Sequence, residues 1–307
     1  MKDYIKTILL LALFLFVVGC DGKEVSTKTS PFIGGTTGLL LNFDTDAPPA
    51  EVYDAGDFPF DVVVKLKNEG EYSIKRENVE VRLSGIDPRE FGKSESDFIK
   101  RPDDDLDGTY KDSEGNRIEG TTTFVVFSGL NHNEALIGNT QYTVRADVCY
   151  NYATNANSML CVKQGQTDKE GDVCKIYEVK TVYNSGGPVQ VTSFTETPRG
   201  SNKYNFNFKI EHKGNGGIYQ KSSNCEKTRA NENKIYVTVN TGINGLSCTG
   251  LEGGATSGYV TLYGGERTIT CTQEVETGTN FERPVNIKIE YDYKDDISTS
   301  LLVKHSS

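Results

Sequence analysis

The residues from 103 to 114, DDDLDGTYKDSE, have the types and spacing of groups that bind a hard divalent cation. Acidic residues occupy the first, third, fifth and twelfth positions of this string, and Gly108 at the sixth position allows a sharp turn. In such a loop the seventh residue contributes its backbone carbonyl. The ligands expected of a weak calcium site are the carboxylates of Asp103, Asp105, Asp107 and Glu114 and the carbonyl oxygen of Thr109.

Three features of the same string favour a different interpretation. Lys111 brings a positive charge to the ninth position, Tyr110 replaces the usual aliphatic residue at the eighth, and no helix is predicted after Gly115. The string therefore resembles the loop of an EF-hand without its helices. The alternative is a solvated acidic loop between two strands, because short acidic strings arise readily in acidic proteins.

Other residues with chemical potential form no recognisable group in the sequence. His132, His212 and His305 are scattered and no C-x-x-C pair is present, so neither a zinc site nor a Cys–His nucleophile is predicted. Strings of the G-x-S-x-G, P-loop and H-E-x-x-H kinds are absent as well. We therefore expect that the protein is not an enzyme. With 43 acidic residues in the chain, a carboxylate pair for glycoside hydrolysis stays open as the alternative.

Two pairs of tyrosines suggest an aromatic platform for a sugar. Tyr150 and Tyr152 are two residues apart, as are Tyr291 and Tyr293, so each pair lies on one face of a strand. Tyrosines at this spacing also pack against neighbouring strands within a sheet, and that role is the more common one. The sequence alone leaves both interpretations open.

Composition and charge exclude some classes of partner. The chain has 307 residues and a net charge of −10, so the phosphate backbone of a nucleic acid would repel it. Its 31 glycines, its 9 prolines and the lack of a long apolar stripe with helical period indicate short strands joined by turns. The sequence therefore predicts an all-β protein with no nucleic-acid partner.

The N-terminus has the features of an export signal. Two lysines precede an apolar run over residues 7–18, which is too short to span a membrane comfortably. The run leads into VVGC, which resembles the lipobox of bacterial and archaeal lipoproteins, in which the cysteine is lipidated and becomes the new N-terminus. The resemblance implies a signal peptide over residues 1–20, a membrane anchor through a lipid on Cys20 and a polar tether over residues 21–30. An ordinary signal peptide or an uncleaved anchor is the alternative.

The chain contains an internal repeat. Residues 150–163, YNYATNANSMLCVK, align without a gap with residues 291–304, YDYKDDISTSLLVK. Residues 60–70, FDVVVKLKNEG, likewise align with residues 204–214, YNFNFKIEHKG, and both have the period of two that is typical of half-buried strands. A second strand follows in each copy, after an insertion in the second copy that contains Cys225. The predicted modules are residues 31–185 and residues 186–307.

Short strands separated by turn residues predict two tandem immunoglobulin-like antiparallel β-sandwiches. Residues 61–83 resemble the strand–turn–strand opening of the CARDB-type Ig-like domains of bacterial and archaeal cell surfaces. The matching residues are Val62, Val64, Leu66, Asn68, Gly70, Val79, Val81 and Leu83. The second copy departs from this pattern, because His212 stands where the first has Asn68. With PFIGGTTGLLLNF and LSGIDPREFG, the chain also resembles an archaeal family of secreted or lipid-anchored proteins of unknown function. These resemblances imply a surface location and Ig-like modules, and they imply no activity.

Six cysteines remain once Cys20 is assigned to a lipid, and export favours disulfide bonds between them. The second module lacks counterparts of both Cys149 and Cys161, which predicts that these two bond each other. Cys248 and Cys271 flank one strand of the second module, and the remaining pair would join the two modules. The expected bonds are Cys149–Cys161, Cys248–Cys271 and Cys174–Cys225.

The sequence thus predicts a membrane-anchored extracellular lipoprotein that is not an enzyme. We expect a role in adhesion, in envelope structure or in binding a protein or glycan partner at the cell surface. The alternative is an extracellular carbohydrate-binding accessory protein or a hydrolase.

Overall fold

The computed structural model describes residues 29–56, 58–163, 167, 169, 172–200, 202–276 and 279–306. The predicted leader, the lipidation site Cys20 and most of the tether lie outside the described residues. Residues 1–30 and residues 31–307 are separate units, and the architecture below is that of the second, which is one compact body.

Strands make up most of the described chain. In chain order they are β1 (Leu39–Phe43), β2 (Glu51–Tyr53), β3 (Phe60–Asn68), β4 (Val79–Ser84), β5 (Ile99–Lys100), β6 (Tyr110–Lys111), β7 (Arg117–Ile118), β8 (Thr122–Leu130), β9 (Thr140–Val162), β10 (Tyr183–Asn184), β11 (Val189–Pro198), β12 (Lys203–His212), β13 (Gly217–Tyr219), β14 (Lys234–Asn240), β15 (Leu246–Thr249), β16 (Ser257–Thr261), β17 (Glu266–Glu274) and β18 (Phe281–Lys304). Short 3-10 turns cover Arg76–Asn78 and Glu95–Phe98.

The strands form three main sheets that give a layered β-sandwich. A nine-stranded central sheet has the order β16-β14-β18-β9-β4-β5, with β10 added to β9 and with β13 and β2 added to β18. A three-stranded sheet has the order β1-β3-β8, and a four-stranded sheet has the order β11-β12-β17-β15. Neighbouring strands are antiparallel apart from β18 and β2, which are parallel. The prediction of an all-β antiparallel sandwich is confirmed.

The inward residues of these sheets follow the period of two read from the sequence. Phe60, Val62, Val64 and Leu66 of β3 are buried, and so are the aligned residues of β12. These side chains belong to one continuous apolar core that extends through both repeats. Burial of alternate residues is what fixes the register of each strand, since a slip by one residue would expose the whole apolar set.

The two copies of the repeat meet in the middle of the central sheet. β9 and β18 are antiparallel partners along their full length, from Val162 opposite Phe281 to Thr140 opposite Val303. Within this register Asn151 lies opposite Asp292, and these two residues occupy equivalent positions in the two copies. The repeats are therefore related by an approximate two-fold axis through this pair.

This arrangement contradicts the predicted domain boundary. The second half of β9 lies against residues 281–292 of β18, which pair in turn with β14 of the second repeat. Conversely, residues 293–304 of β18 lie against the first half of β9, beside β4 of the first repeat. Each repeat thus supplies a strand to the other. Residues 31–185 and 186–307 are structural repeats within one body and not separate domains.

The disulfide bonds agree with the sequence-based pairing in one case of three. Cys248 lies opposite Cys271 on β15 and β17, and the two are bonded as predicted. The other two predicted pairs were wrong, because the bonds found are Cys149–Cys225 and Cys161–Cys174. Cys149 and Cys161 are both on β9, where a rise of about 3.3 Å per residue holds them about 40 Å apart. Nothing in the sequence indicates that this strand runs through both positions without a turn.

Candidate functional site on the outer face of the central sheet

The acidic string does not form the expected calcium loop. The carboxylate of Asp105 lies 2.7 Å from the ammonium group of Lys75 and accepts the backbone N–H of Arg76 at 3.0 Å. The hydrogen bond from Lys75 and then that from Arg76 lower the pKa of Asp105. The carbonyl of Asp103 accepts a bond from the Arg76 guanidinium at 2.8 Å. These acidic residues are therefore held by cationic side chains of the preceding 3-10 turn.

The second half of the string forms a β-hairpin. Thr109 is buried, and its hydroxyl and backbone N–H both donate to the carbonyl of Gly70. β6 and β7 then pair with each other, and Asp112 accepts the backbone N–H groups of Glu114 and Asn116 in the turn between them. Glu114 is thus part of a hairpin turn and does not close a loop. Among the described residues no three His, Cys, Asp or Glu side chains form a group that could hold a metal.

The four tyrosines pack inside the protein. Tyr150, Tyr152, Tyr291 and Tyr293 are at most 2% exposed, so they offer no face to a sugar. Their rings form a closed set across β9 and β18, with centroids 5.7 to 6.2 Å apart. The interpretation as sheet-packing residues is the one that the structure supports.

Each copy uses a glycine to make room for a tyrosine hydroxyl. A Cβ atom on Gly70 would overlap the hydroxyl of Tyr152, and a Cβ atom on Gly214 would overlap the hydroxyl of Tyr293. Tyr152 donates to the carbonyl of Gly186 at 2.8 Å, and Tyr293 accepts the N–H of Gly216 at 2.7 Å. Burial raises the pKa of Tyr293 to about 12. These hydroxyls are neutral structural groups at physiological pH.

The most deeply buried carboxylates also bind the protein itself. Asp54 accepts hydrogen bonds from His305, from Ser306 and from the N–H of Leu136, and together these bonds hold its pKa far below the usual range. Asp292 accepts the N–H groups of residues 222 and 224 at 3.0 and 2.8 Å. Asp54 therefore holds the C-terminal residues in place, and Asp292 holds the inserted loop of the second repeat against the sheet.

A small cleft lies between β1 and the loop after β12, with a volume of about 240 Å³. Tyr150 and Tyr293 line it together with Lys213 and Asp295. Burial, followed by the neighbouring charge of Asp296, raises the pKa of Asp295. Asp295 is the single carboxylate among the lining residues, whereas glycoside hydrolysis commonly uses two.

The larger polar site is on the outer face of the central sheet, which points away from the two smaller sheets. Two neighbouring rows of side chains cross three strands there. In one row Asn155 of β9 lies opposite Lys288 of β18, which lies opposite Thr238 of β14. The next row consists of Asn157, Asn286 and Asn240. We call these six residues the amide face.

The amide face adjoins a shallow cleft of about 410 Å³. Phe32 forms one side of this cleft, and four of the five asparagine and lysine residues of the amide face line it, namely Asn155, Asn240, Asn286 and Lys288. Beyond Thr238, the rings of Tyr236 and Tyr259 stand edge to face with centroids 4.9 Å apart. The amide face therefore has aromatic rings next to it.

The surface related to the amide face by the approximate two-fold axis has a different chemistry. Arg145 corresponds to Asn286 and Asp296 corresponds to Asn155, and these two charged side chains are 2.9 Å apart. Asp147 lies 3.1 Å from Lys294 and 3.2 Å from Arg145. This surface is a network of mutually paired charges, so the amide face occurs at one of the two positions that the approximate two-fold axis relates.

The amide face was not predicted from the sequence, although one signal for it was present. Asn155 and Asn157 are two residues apart in β9, and asparagine is uncommon in strands. What the sequence did not reveal is that β14 and β18 bring Asn240 and Asn286 alongside them. That neighbourhood depends on the exchange of strands between the repeats.

Comparisons with known proteins give little further information. No protein-family model and no curated protein matches the chain. The chain is similar to the secreted serine protease VesC from Vibrio cholerae at 11% identity and a TM-score of 0.19, over 83% of this chain and 50% of that chain. It is similar to the partial N-terminal region of an enterococcal surface protein at 8% identity and a TM-score of 0.19, over 92% of this chain and 97% of that one. The chain therefore spans half the length of VesC, and similarities at this TM-score carry no information on function.

Within the described residues no helix has the length and apolar character needed to cross a membrane.

Proposed function

We propose that the protein is a membrane-anchored extracellular module that is not an enzyme and that presents a binding surface at the cell envelope. The observation that carries this proposal is the joining of two repeats into one body by exchange of strands between β9 and β18. A body of this kind holds a surface in a fixed orientation, which suits binding or structural support. It does not provide the hinge that often closes over a substrate.

The disulfide bonds support the location. The described residues contain three of them, and such bonds persist in oxidising compartments outside the cytosol. Cys149–Cys225 joins the central strand of the first repeat to the inserted loop of the second, so it also strengthens the junction. The lipobox-like VVGC at residues 17–20 supports attachment through Cys20, and the resemblance to CARDB-type domains implies the same surface location.

The buried ionisable groups support a role without catalysis. Asp54 and Asp292 are both occupied by backbone N–H groups, and the four buried tyrosine rings pack against one another. Asp295 faces a cleft without a second carboxylate. The competing function is that of a hydrolase acting through Asp295, and the raised pKa of this residue is the observation that favours it.

Cell fractionation of the native host with the wild-type chain and the Cys20→Ser variant tests the proposed function. We expect the wild-type chain in the membrane fraction, accessible to protease added to intact cells, and the variant in the soluble extracytoplasmic fraction or held as an uncleaved precursor. A wild-type chain that is protected in intact cells would contradict the proposal.

A further inference from the structure

We propose that the amide face binds a neutral, polyhydroxylated glycan, an inference that rests on the extracellular location proposed above. The residues of the amide face are not those that strand formation favours. Asparagine is depleted in strands, yet Asn155, Asn157, Asn240 and Asn286 are adjacent on one exposed surface of three strands. A departure of this kind from local preference is expected at a functional site.

The hydrogen-bonding capacity of the amide face matches sugar hydroxyl groups. Asn157 donates from Nδ2 to Oδ1 of Asn286 at 2.8 Å, which uses one of its two N–H groups. Each amide combines a carbonyl acceptor with an NH₂ donor, and each hydroxyl of a sugar is both a donor and an acceptor. A row of amides can therefore bind neighbouring hydroxyls of one ring without a change in protonation.

The charge on this surface favours a neutral ligand. Lys288, which is the charged residue of the amide face, lies 3.1 Å from Oε1 of Glu290. Lys221 binds the same oxygen atom at 2.7 Å. With the Lys288 charge directed to a carboxylate, the remaining recognition groups are amides and the hydroxyl of Thr238. Because the two lysines share one carboxylate, one net positive charge stands beside four amides, and an acidic polysaccharide would gain less here than at a site built from several unpaired lysines or arginines.

The aromatic residues provide the apolar part of the site. Phe32 borders the cleft. The hydroxyl of Tyr236 donates to Oγ of Ser257 at 3.3 Å, which links Tyr236 to the row of the sheet that contains Thr238. Phe32 offers a flat apolar ring to the C–H face of a pyranose, whereas Lys221 and Lys234 lie over the rings of Tyr236 and Tyr259 at 5.9 and 5.2 Å. The cleft volume of about 410 Å³ lies within the range of small-molecule sites.

The repeat supplies a matched pair of variants for the test. Asn155→Ala with Asn286→Ala removes two amides from the amide face. Arg145→Ala with Asp296→Ala changes the two positions related to these by the approximate two-fold axis, where the side chains are also exposed. The purified full chain and both double variants are applied to an array of neutral oligosaccharides of glucose, galactose, mannose and N-acetylglucosamine, alongside sulfated and uronic-acid oligosaccharides. Thermal unfolding of each protein checks that it is folded.

We expect the full chain to bind at least one neutral oligosaccharide, with binding weakened about tenfold or more by Asn155→Ala with Asn286→Ala, since tenfold corresponds to about one lost hydrogen bond. Arg145→Ala with Asp296→Ala should bind as the wild type does. Phe32→Ala should weaken binding too, and it keeps the test informative if the first double variant unfolds. Absence of neutral-glycan binding, binding to acidic glycans alone, or equal binding by all variants would overturn the inference. Each of these results is separate from the fractionation experiment, which tests location alone.

Discussion

Asn151 donates from Nδ2 to Oδ1 of Asp292 at 3.3 Å, and these two residues stand at equivalent positions of the two repeats. Asp292 is 3% exposed, and it also accepts the N–H groups of Ser222 and Asn224. Ser222, Asn224 and Cys225 have φ values of 62°, 53° and 53°. The carboxylate and the Cys149–Cys225 bond together hold this left-handed loop over the two-fold axis.

Replacement of Asp292 should therefore release the inserted loop and destabilise the protein. Asp292→Ala leaves two backbone N–H groups without their acceptor, and we expect a loss of about 2–4 kcal/mol in the free energy of unfolding. Asn151→Ala should cost about 1 kcal/mol, because it removes two long hydrogen bonds, one to Oδ1 of Asp292 at 3.3 Å and one to the carbonyl of Tyr291 at 3.5 Å. Urea unfolding measures both values, and hydrogen exchange should rise at residues 222–225 in Asp292→Ala alone. Equal losses in the two variants would contradict this account.

The glycines beneath the tyrosine hydroxyls give a second prediction. Gly70→Ala and Gly214→Ala should each destabilise the fold by about 2–3 kcal/mol, since the added methyl group would overlap a buried hydroxyl. Gly138→Ala is the matched control, because a Cβ atom at Gly138 would have no neighbour within 4 Å. Thermal unfolding separates the three variants, and a Gly70→Ala midpoint equal to that of Gly138→Ala would refute the packing argument.

Stability should depend on pH through His212. Burial lowers the pKa of His212, whose Nε2 lies 3.1 Å from the hydroxyl of Tyr293. The unfolded chain takes up a proton at this residue near its usual pKa of about 6.5, while the folded protein resists doing so, and the free energy of unfolding should therefore fall as pH drops below about 6.5. His212→Asn introduces the residue found at the equivalent position 68, and it should flatten the change in stability between pH 7.5 and 5. An unchanged pH profile in this variant would show that His212 does not contribute.

Two of the three disulfides should differ in their contribution to stability. Cys149–Cys225 spans 76 residues, whereas Cys248–Cys271 spans 23, and a longer loop restricts the unfolded chain more. In the chain-entropy estimate, replacing both cysteines by serine costs about 4.5 kcal/mol for the first bond and about 3.4 kcal/mol for the second. Guanidinium unfolding of the two double variants tests the order, and a larger loss at Cys248–Cys271 would contradict it.

Local patterns in the sequence predicted much of the fold. The alternation in residues 60–66 and 204–210 was sufficient to identify two half-buried strands and their repeat, because period-two burial is a property of a single strand. The glycines of Asn68-Glu69-Gly70 and of the 214–217 turn were recognisable as turn residues because turn composition, too, is a property of a short segment. These features need no knowledge of which strands become neighbours.

Features that depend on neighbouring strands were not predicted. The equal lengths of residues 150–163 and 291–304 showed a duplication, but the pairing of β9 with β18 is set by contacts between residues more than a hundred positions apart. For this reason the domain boundary and two of the disulfide pairs were wrong. The acidic string does not adopt the expected loop geometry because Lys75, outside the string, binds Asp105. Calcium binding itself stays a prediction.

The measurement that tests the account most directly is the solution state of the isolated first repeat. In the full chain, β9 of this repeat lies against residues 293–304 of the second repeat, and Leu301 and Val303 of that segment are fully buried. The fragment of residues 29–185 lacks that strand. Analytical ultracentrifugation with circular dichroism should show no folded monomer, and addition of residues 186–307 should restore the native spectrum in a one-to-one complex. A stably folded, monomeric fragment of residues 29–185 would contradict the claim that each repeat is completed by the other.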